Sequence, residues 1–595
     1  MKKLKYLLFV LIFSIAQTFY SCKKSLIKPQ IGSISPELLQ TKNGVNGLLI
    51  GTYSALRGQQ GGDQSFGGGD SWQAAPDNWI YGGVAGGDAS KGSIAGDQQP
   101  IEPIANFYTD ASNPFLNTKW IAFYEGISRA NNVLRTVPKV TGLAVPDVAN
   151  IQGQARFLRA HFYFEAKRLF NNVPYVDETA TDVNLPNTID IWPKIEADLK
   201  YAYDNLPPTQ NDLGRVNKWA AGAYLAKAYM YELKYADAKA LYDVIINQGV
   251  TAGGTPYALV PMFHDNFNVA TKNNSESVFA IEAVANVDPS APSQANDFDL
   301  LNYPYGTSSP FSCCGFYQPS IDLVNHFRTN PVTGLPYLDA YDAHPVKNDM
   351  GILSAAPFTP DASTVDPRLD WTVGRRGIPY LDWGIHPGND WIRGQDYGGP
   401  YSPIKHVYTQ ANQTTDGDQH SYGPGTAVNY NIIRFADVLL MAAEAEAQLG
   451  NLAKAENYVN MVRARAANPA GFVFKYADDN NPTGGYSTTP AANYKIKPYP
   501  AGDFTKGLSY ALKAIYYERQ IELAMEGHRF FDVVRWGIAD QALNAYFQYQ
   551  GKITSDVTQG HFVKGKNEYY PIPQIQIDLS TKNGTQVLKQ NPGYN

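Results

Sequence analysis

The densest run of ionisable side chains lies between Tyr517 and Gly537, where Glu518, Arg519, Glu522, Glu526, His528, Arg529, Asp532 and Arg535 are interleaved with apolar residues. Glu522, Glu526 and His528 are the residue types that move protons, and set together they would suit general acid–base chemistry. The spacing favours another reading. Arg519 and Glu522, Glu526 and Arg529, and Asp532 and Arg535 each stand three apart, the offset that puts opposite charges side by side on a helix. Ile521, Leu523, Met525, Phe530, Phe531, Val533 and Val534 would pack around such a ladder. A structural ion-pair cluster is expected here. Residues 154–164 are weighed in the same way: Arg156, Arg159 and His161 among Phe157, Phe162, Tyr163 and Phe164 read as a helix packed on both sides, its arginines reaching carboxylates on neighbouring helices.

Other chemistry is absent from the motifs. There is no His-Glu-x-x-His, no Gly-x-Ser-x-Gly, no phosphate-binding Gly-x-x-x-x-Gly-Lys and no dinucleotide fingerprint. The glycine clusters near Gly67 and Gly83 precede no helix carrying a lysine and read as flexible loop. Nothing selects a carboxylate pair for glycoside hydrolysis from the 55 acidic residues. Cys313 and Cys314 are adjacent and have no second pair or histidine cluster at metal-ligand spacing. Either a vicinal disulfide or two small buried residues would fit them, and the second is favoured. No metal or other cofactor is expected.

Large aromatics in irregular sequence are the positive clue. Trp120, Trp192, Trp219 and Trp536 sit in helical patterns, whereas Trp72, Trp79, Trp371, Trp383 and Trp391 do not. Loops are where a binding surface places such rings. The candidate ligand-binding residues are therefore Trp72, Trp79 and Tyr81 in one block and Trp371, Trp383 and Trp391 in another, with Tyr303, Tyr305 and Tyr317 beside the latter. Several of these rings would equally close small cores beneath the loops.

The elements that must carry these residues follow from periodicity. Apolar residues recur at helical spacing over 120–137, 151–171, 191–205, 218–233, 235–248, 432–449, 452–467, 508–526 and 529–544, several of them closed by Pro or Gly. Ala226 with Ala238, and Ala443 with Ala455, have the small-residue spacing of tetratricopeptide-like helix pairs, in which small side chains let two helices approach. Nearly two hundred residues separate these two pairs. Between them, 250–429 has little helical period and much Gly, Pro, Asn and Asp, as do 57–113 and 468–507. Long irregular stretches inside a compact chain are uncommon and usually functional. The expected fold is mostly α, a helix-pair scaffold bearing long loop insertions.

Composition agrees with that reading. The 595 residues are 44% hydrophobic, 13% aromatic and only 17% charged, and 40 of them are tyrosine. Disordered chains lack such aromatic content. A formal charge of -6 argues against nucleic acid, whose phosphates need a basic face. Residues 1–21 have the basic start (Lys2, Lys3, Lys5) and short apolar run of an export signal, followed by Ser21-Cys22. A cysteine at that place predicts a bacterial lipoprotein acylated at Cys22, although Phe19 and Tyr20 depart from the small residues usual before it. No other segment is apolar for long enough to span a bilayer.

Taken together, four blocks resemble the SusD/RagB-like outer-membrane lipoproteins of Bacteroidetes. They are 154–164 running on to Asn171-Asn172-Val173-Pro174-Tyr175; 434–445 followed by 460–466; 518–536, the most specific; and Tyr570-Pro571-Ile572-Pro573 with Gln590-Asn591-Pro592-Gly593-Tyr594. With the signal and Cys22 they cover essentially the whole chain. The resemblance implies about four tetratricopeptide-like helix pairs, a non-enzymatic role, and pairing with a SusC-like TonB-dependent transporter in the outer membrane. It divides the chain into a signal (1–21), an N-terminal helical region (22–249), a ligand-binding insert (250–429) and a C-terminal helical region (430–595). The expected ligand is an oligosaccharide or polysaccharide, since sugar C–H faces stack on Trp and Tyr. A peptide-binding relative, a glycoside hydrolase and a periplasmic scaffold are the alternatives. The expected place is the outer membrane, lipid-anchored and facing the cell surface, although Cys22 is followed by Lys23-Lys24-Ser25 rather than the acidic run associated with surface export.

Overall fold

The computed structural model describes residues 36–58, 69–287, 293–421 and 423–594. The export signal, Cys22, Gly67 and Gly68 lie outside the described residues. Eleven of the described helices carry the framework: α1 Lys42–Ser54, α2 Pro114–Thr136, α3 Val145–Phe170, α4 Trp192–Asn205, α5 Lys218–Tyr231, α6 Tyr235–Gln248, α7 Phe435–Gln448, α8 Leu452–Ala466, α9 Leu508–Glu522, α10 Arg529–Arg535 and α11 Ala539–Gln550. Local sequence sets their starts. Asn113 caps α2 by accepting from the Phe115 amide at 3.0 Å, with Pro114 at the first helical position. Asn217 caps α5 through the Ala220 amide at 2.9 Å.

Helices α2 to α6 pack in sequence order, each on the next, and α6 then packs directly on α7 although residues 249–434 intervene. The Tyr242 hydroxyl meets the Met441 sulfur at 3.3 Å across this junction, and Lys454 of α8 bridges Asp243 and Glu446 at 2.6 and 2.7 Å. The scaffold is thus continuous in space and interrupted only in sequence. Ala226, Ala238, Ala443 and Ala455 are all fully buried, as close helix crossings require.

Helices α2 and α3 each begin six residues before the expected start, at Pro114 and Val145, each with a proline in the first turn, and three further boundaries differ from the sequence expectation. Residues 430–434 are strand: β4 (Tyr430–Arg434) pairs antiparallel with β2 (Ser277–Ile281), and only then does α7 begin. Helix α9 stops at Glu522, because Met525 and Gly527 take left-handed backbone at φ 63° and 73°. A Cβ on Gly527 would run into the Asp77 carbonyl, so glycine is required there. The helix expected over 529–544 is two, α10 and α11, parted by Gly537 at φ 71°.

That break rewrites the expected ladder. Of its three pairs only Asp532–Arg535 forms, at 3.2 Å. Arg519 instead bonds Asp437 at 2.8 Å and Asp532 at 3.0 Å, and Glu526 bonds Arg434 at 2.9 Å and Lys405 at 2.7 Å. The cluster is structural, but its contacts are tertiary. Five buried carboxylates (Asp366, Glu276, Glu518, Glu522, Glu526) face five buried cations (Arg368, Arg434, Arg463, Arg465, Lys405), so the network is neutral as a whole. Glu522 alone bonds Arg368, Arg434 and Arg465. In α3, Arg156 and Arg159 both reach Asp198 of α4, at 2.8 and 2.7 Å, as their spacing suggested.

The glycines at 82–87 are not flexible loop. All are buried in and after a wide helical turn, Trp79–Val84. A Cβ on Gly83 would run into the Tyr317 hydroxyl, and one on Gly82 into the Gly527 carbonyl, so these residues let two backbones and a ring approach closely.

Candidate functional site

The irregular segments meet one another through short paired strands. β1 (Ala89–Gly92) runs antiparallel to β3 (Phe316–Pro319), and the Ser93 amide donates to the Gly315 carbonyl at 2.5 Å. The stretch after β1 turns back on itself, its Asp97 amide donating to the Ile94 carbonyl at 3.1 Å, and leaves Ile94, Ala95 and Gly96 exposed. Against it lies the loop around Arg393. One guanidinium nitrogen of Arg393 donates to the Ser93 hydroxyl at 2.8 Å and to the Asp97 carboxylate at 2.5 Å, while the guanidinium carbon stands 5.4 Å from the centre of the Tyr305 ring. Tyr305 is held in turn by its amide bond to the Trp391 carbonyl at 3.1 Å. A half-exposed aromatic ring, a guanidinium, a carboxylate and a hydroxyl thus converge where residues 93–97 meet the insert.

The loop leaving Tyr305 leads to a second aromatic group. Tyr303, Phe311, Tyr380, Leu381, Trp391, Ile404 and Val407 form a satellite core separate from that of the scaffold, with Trp371, Trp383 and Tyr408 half-buried at its rim. Trp383 lies 4.6 Å from Phe311 and 6.0 Å from Tyr408, ring centre to ring centre, and its indole N–H donates to the Tyr408 carbonyl at 2.8 Å. Nearby, Tyr486 is exposed, stacks on Tyr476 at 5.5 Å and donates to the Leu381 carbonyl at 2.8 Å. Burial pushes the phenols of Tyr408 and Tyr486 up to about 12, so both stay neutral hydrogen-bonding groups at physiological pH.

The nine aromatic candidates fall into distinct settings. Trp79, Tyr81, Tyr303 and Tyr317 are interior, with no ring face open to a ligand in this structure. The Trp79 indole donates to the Phe298 carbonyl at 3.2 Å and its ring packs on Tyr317, while the Tyr81 hydroxyl donates to the carbonyls of Gln73 and Phe115. Trp72 and Trp391 are nearly buried: Trp72 donates to Gln98 at 3.0 Å and so braces the 93–97 turn from behind, and Trp391 donates to the Ser308 carbonyl at 3.0 Å. Trp371 stacks on His264 at 4.2 Å, away from Tyr305, and donates to the Gly471 carbonyl. Tyr305 and Trp383 keep partly open rings beside polar groups. Ser93, Asp97, Arg393, Tyr408 and Tyr486 were not anticipated. Tyr408 and Tyr486 stand in irregular sequence like the chosen rings, but nothing in the sequence shows which distant loops Asp97 and Arg393 bring together.

Cys313 is half-buried and Cys314 buried, and Gly315 beside them packs against Tyr305 and Arg393. Among the described residues, no group of three or more His, Cys, Asp or Glu is placed to hold a metal ion. No described helix is long and apolar enough to cross a membrane. Cavities of about 430 Å3, beside Arg57 and Arg215, and about 520 Å3, beside Tyr257 and Met461, are lined by none of the nine aromatic candidates.

Residues 275–594 match the model of the SusD family, and 88–230 match a model described as starch-binding associating with outer membrane. SusD-like protein P25 of Formosa agariphila is 25% identical over 547 residues, covering 87% of this chain and 88% of its own. A SusD-like protein of Bacteroides ovatus is 25% identical over 524 residues, 80% of this chain and 79% of its own. Among solved structures, a laminarin binding SusD-like protein superposes with a TM-score of 0.64 at 22% identity, over 93% of this chain and 100% of its own. Surface glycan-binding protein A from Bacteroides thetaiotaomicron, in complex with laminarihexaose, gives 0.62 at 20% identity over 93% and 99%. The family model spans more than half of the sequence, and its C-terminal half holds the Arg434–Glu522–Glu526 network described above: the chain belongs to the SusD family.

Proposed function

We propose that this protein is a non-enzymatic glycan-binding lipoprotein of the outer membrane, holding an oligosaccharide on its loop face and passing it to a SusC-like TonB-dependent transporter. The observation that carries the ligand assignment is the meeting of exposed Arg393 with half-exposed Tyr305 and Asp97, which the buried Ser93 hydroxyl holds together from beneath. A pyranose needs an apolar ring to cover its C–H face and charged or polar groups to pair its hydroxyls. Arg393 and Asp97 neutralise each other, so the surface suits an uncharged sugar chain better than an acidic one. Trp383, Tyr408 and Tyr486 lie along the same loops and offer further rings to a longer chain. Family membership and relatives named for laminarin and glycan binding support the ligand class. The outer-membrane description of the family model and the Ser21-Cys22 sequence support a lipid anchor at Cys22.

The test is calorimetry or affinity electrophoresis of the protein lacking residues 1–22 against laminarihexaose, a panel of neutral and acidic polysaccharides, and oligopeptides. Binding of a neutral glycan that weakens in Tyr305→Ala supports the reading. Binding of peptides and no glycan overturns it.

A further inference from the structure

Lys91 is a lysine at 1% exposure on β1, directly beneath the 93–97 turn. Its ammonium makes no salt bridge. Instead it donates to three backbone carbonyls of that turn: Ile94 at 3.0 Å, Ala95 at 3.4 Å and Asp97 at 2.6 Å. The aromatic rings of Tyr397 and Phe316 lie 5.0 and 5.9 Å from the same nitrogen and close its other side. Three converging carbonyls around one positive charge is how an oxygen-lined loop holds a bound cation. Here the cation is covalently part of the chain.

We infer that the Lys91 ammonium is a resident cation that folds the 93–97 turn and so sets Asp97 and Ser93 against Arg393, making Lys91 a positioning residue of the ligand face. The part concerning ligand rests on the reading that Tyr305, Arg393 and Asp97 form that face. The carbonyls Lys91 gathers belong to residues whose outer side is exposed, so without it three inward-turned acceptors would lose their donor. From outside, the turn is held by Arg393 on Ser93 and Asp97, by the Ser93 amide on Gly315 and by Trp72 on Gln98, whereas Lys91 is the group that gathers its own inward carbonyls. Ser93 takes left-handed backbone at φ 56°, and besides the Asp97–Ile94 amide bond the turn is closed by the Ser93 hydroxyl donating to Asp97 at 3.0 Å. A preorganised loop binds more tightly because its ordering is already done.

The charge on Lys91 is open to titration. Burial pulls its pKa down to about 8, against Glu102, Asp97 and Asp556, which favour the charged form, while Arg393 adds to the lowering. Glu102 is itself held by the hydroxyls of Tyr397 at 3.0 Å and Tyr108 at 3.3 Å, and Asp556 is a buried carboxyl pushed up to about 6. A neutral amine has two protons for three carbonyls. The turn should therefore loosen between pH 7 and 9, the window set by the Lys91 value.

The experiment is hydrogen exchange of the intact mature chain at pH 7 and pH 9, corrected for intrinsic rates, on wild type, Lys91→Arg and Lys91→Met. The Asp97 amide and its neighbours in the turn should exchange at least about tenfold faster at pH 9 than at pH 7 in wild type, the scale of one lost charge-assisted hydrogen bond. Amides of α5 and α7 should not change. Lys91→Arg should lose this pH dependence, and Lys91→Met should show fast exchange at both pH values. Because wild type alone carries the pH comparison, a variant that fails to fold does not remove the test. Unchanged exchange in the turn at pH 9 overturns the inference. Laminarihexaose affinity, measured in parallel, tests the ligand reading separately: a turn that loosens with no loss of affinity keeps the structural role of Lys91 and removes this turn from the ligand face.

Discussion

Two regions built from the same chain hold themselves together by different means. Where the scaffold meets the insert, the interior is ionic: Glu522, Glu518 and Glu276 are fully buried among Arg368, Arg434, Arg463 and Arg465. Where the insert makes its own small core, the interior is aromatic, and polar atoms there end mostly on backbone carbonyls, as with Trp383 on Tyr408, Trp391 on Ser308 and Tyr303 on His406. The ionic junction needs every partner in place, because a buried charge without its counter-ion is far worse than an apolar replacement. The aromatic core tolerates more, since area burial is non-directional and rim rings can stay half open. That difference lets the loop face carry open rings while the junction fixes its position on the helices.

The largest effect expected from this comparison is at Glu522. Glu522→Gln removes the charge shared by three guanidinium groups and should lower stability by ~3–5 kcal/mol, the usual result of breaking a buried pair by removing one partner. Trp79→Ala, in the interior beneath the first loops, should lose a similar ~3–5 kcal/mol through its cavity. Urea denaturation of both variants checks the pair. If Glu522→Gln proves nearly neutral, the junction is not the ionic clamp described, and the two regions do not differ in kind.

Acid sharpens the same contrast. Burial alone would raise the carboxyl of Glu522, but Arg465, Arg434 and Arg368 more than offset it and hold the group well below its usual range. Asp437 is likewise held low by Lys227 and Arg519 against the effect of burial. Such depressed groups stabilise the fold above their unfolded values and lose that contribution as pH falls, so the melting temperature should drop steeply below pH ~4.5. Asp88 has the opposite sign. Burial raises it to about 7, only partly countered by Arg529, so its contribution is full below pH ~4 and lost as pH rises towards 7. Asp322, Asp349 and Asp556, each pushed up to about 6 by burial, act in the same direction, so Asp88→Asn should remove only the upper part of that decline, near pH 7, while leaving the acid transition in place, which melting curves from pH 3 to 8 would show. A decline that persists unchanged in Asp88→Asn assigns it to another group.

The scaffold makes a smaller, steric prediction. Ala443 and Ala455 are fully buried in the packed helices α7 and α8, and enlarging either to Leu should cost ~1–3 kcal/mol by overpacking. Equal stability of both variants would mean the helices can part without loss.

This scaffold was the legible part of the sequence. Alanines at helix-pair spacing and apolar residues at a period of 3.6 specify where two helices touch, and those constraints are local. The α6–α7 junction was not legible, because it depends on an insert that leaves and returns. Strand β4 was hidden for a different reason: Ile432 and Ile433 extend the apolar pattern of α7 without a break, and only pairing with β2 makes them strand. The charges at 518–535 were correctly read as structural, yet their partners were misassigned, since Met525 and Gly527 break the helix on which the i,i+3 geometry relied. At the loop face, position in irregular sequence does not separate Trp79, which is core, from Trp383, which is rim. Burial there is decided by long-range docking of loops.

The smallest predicted effects fall on the open rings, and they test the comparison at its other end. Tyr305 lies against Arg393 and Trp383 against Phe311 and Tyr408, each with part of its surface free. A ring that stacks on a sugar should contribute ~0.5–1.5 kcal/mol beyond area burial, as aromatic pairs do. Tyr305→Ala or Trp383→Ala should then weaken binding of a glycan such as laminarihexaose several-fold, with the melting temperature little changed. Their partners make the distinction sharp: Trp383 also closes the rim of the satellite core, so it should lose somewhat more stability than Tyr305. Calorimetric titration beside thermal melting reads both quantities on each variant. If Tyr305→Ala leaves affinity untouched while Trp383→Ala reduces it, the sugar lies along Trp383, Tyr408 and Tyr486, and the Arg393–Asp97 pair serves only to join the two loop regions. If both leave it untouched with the fold intact, the ligand does not use this face.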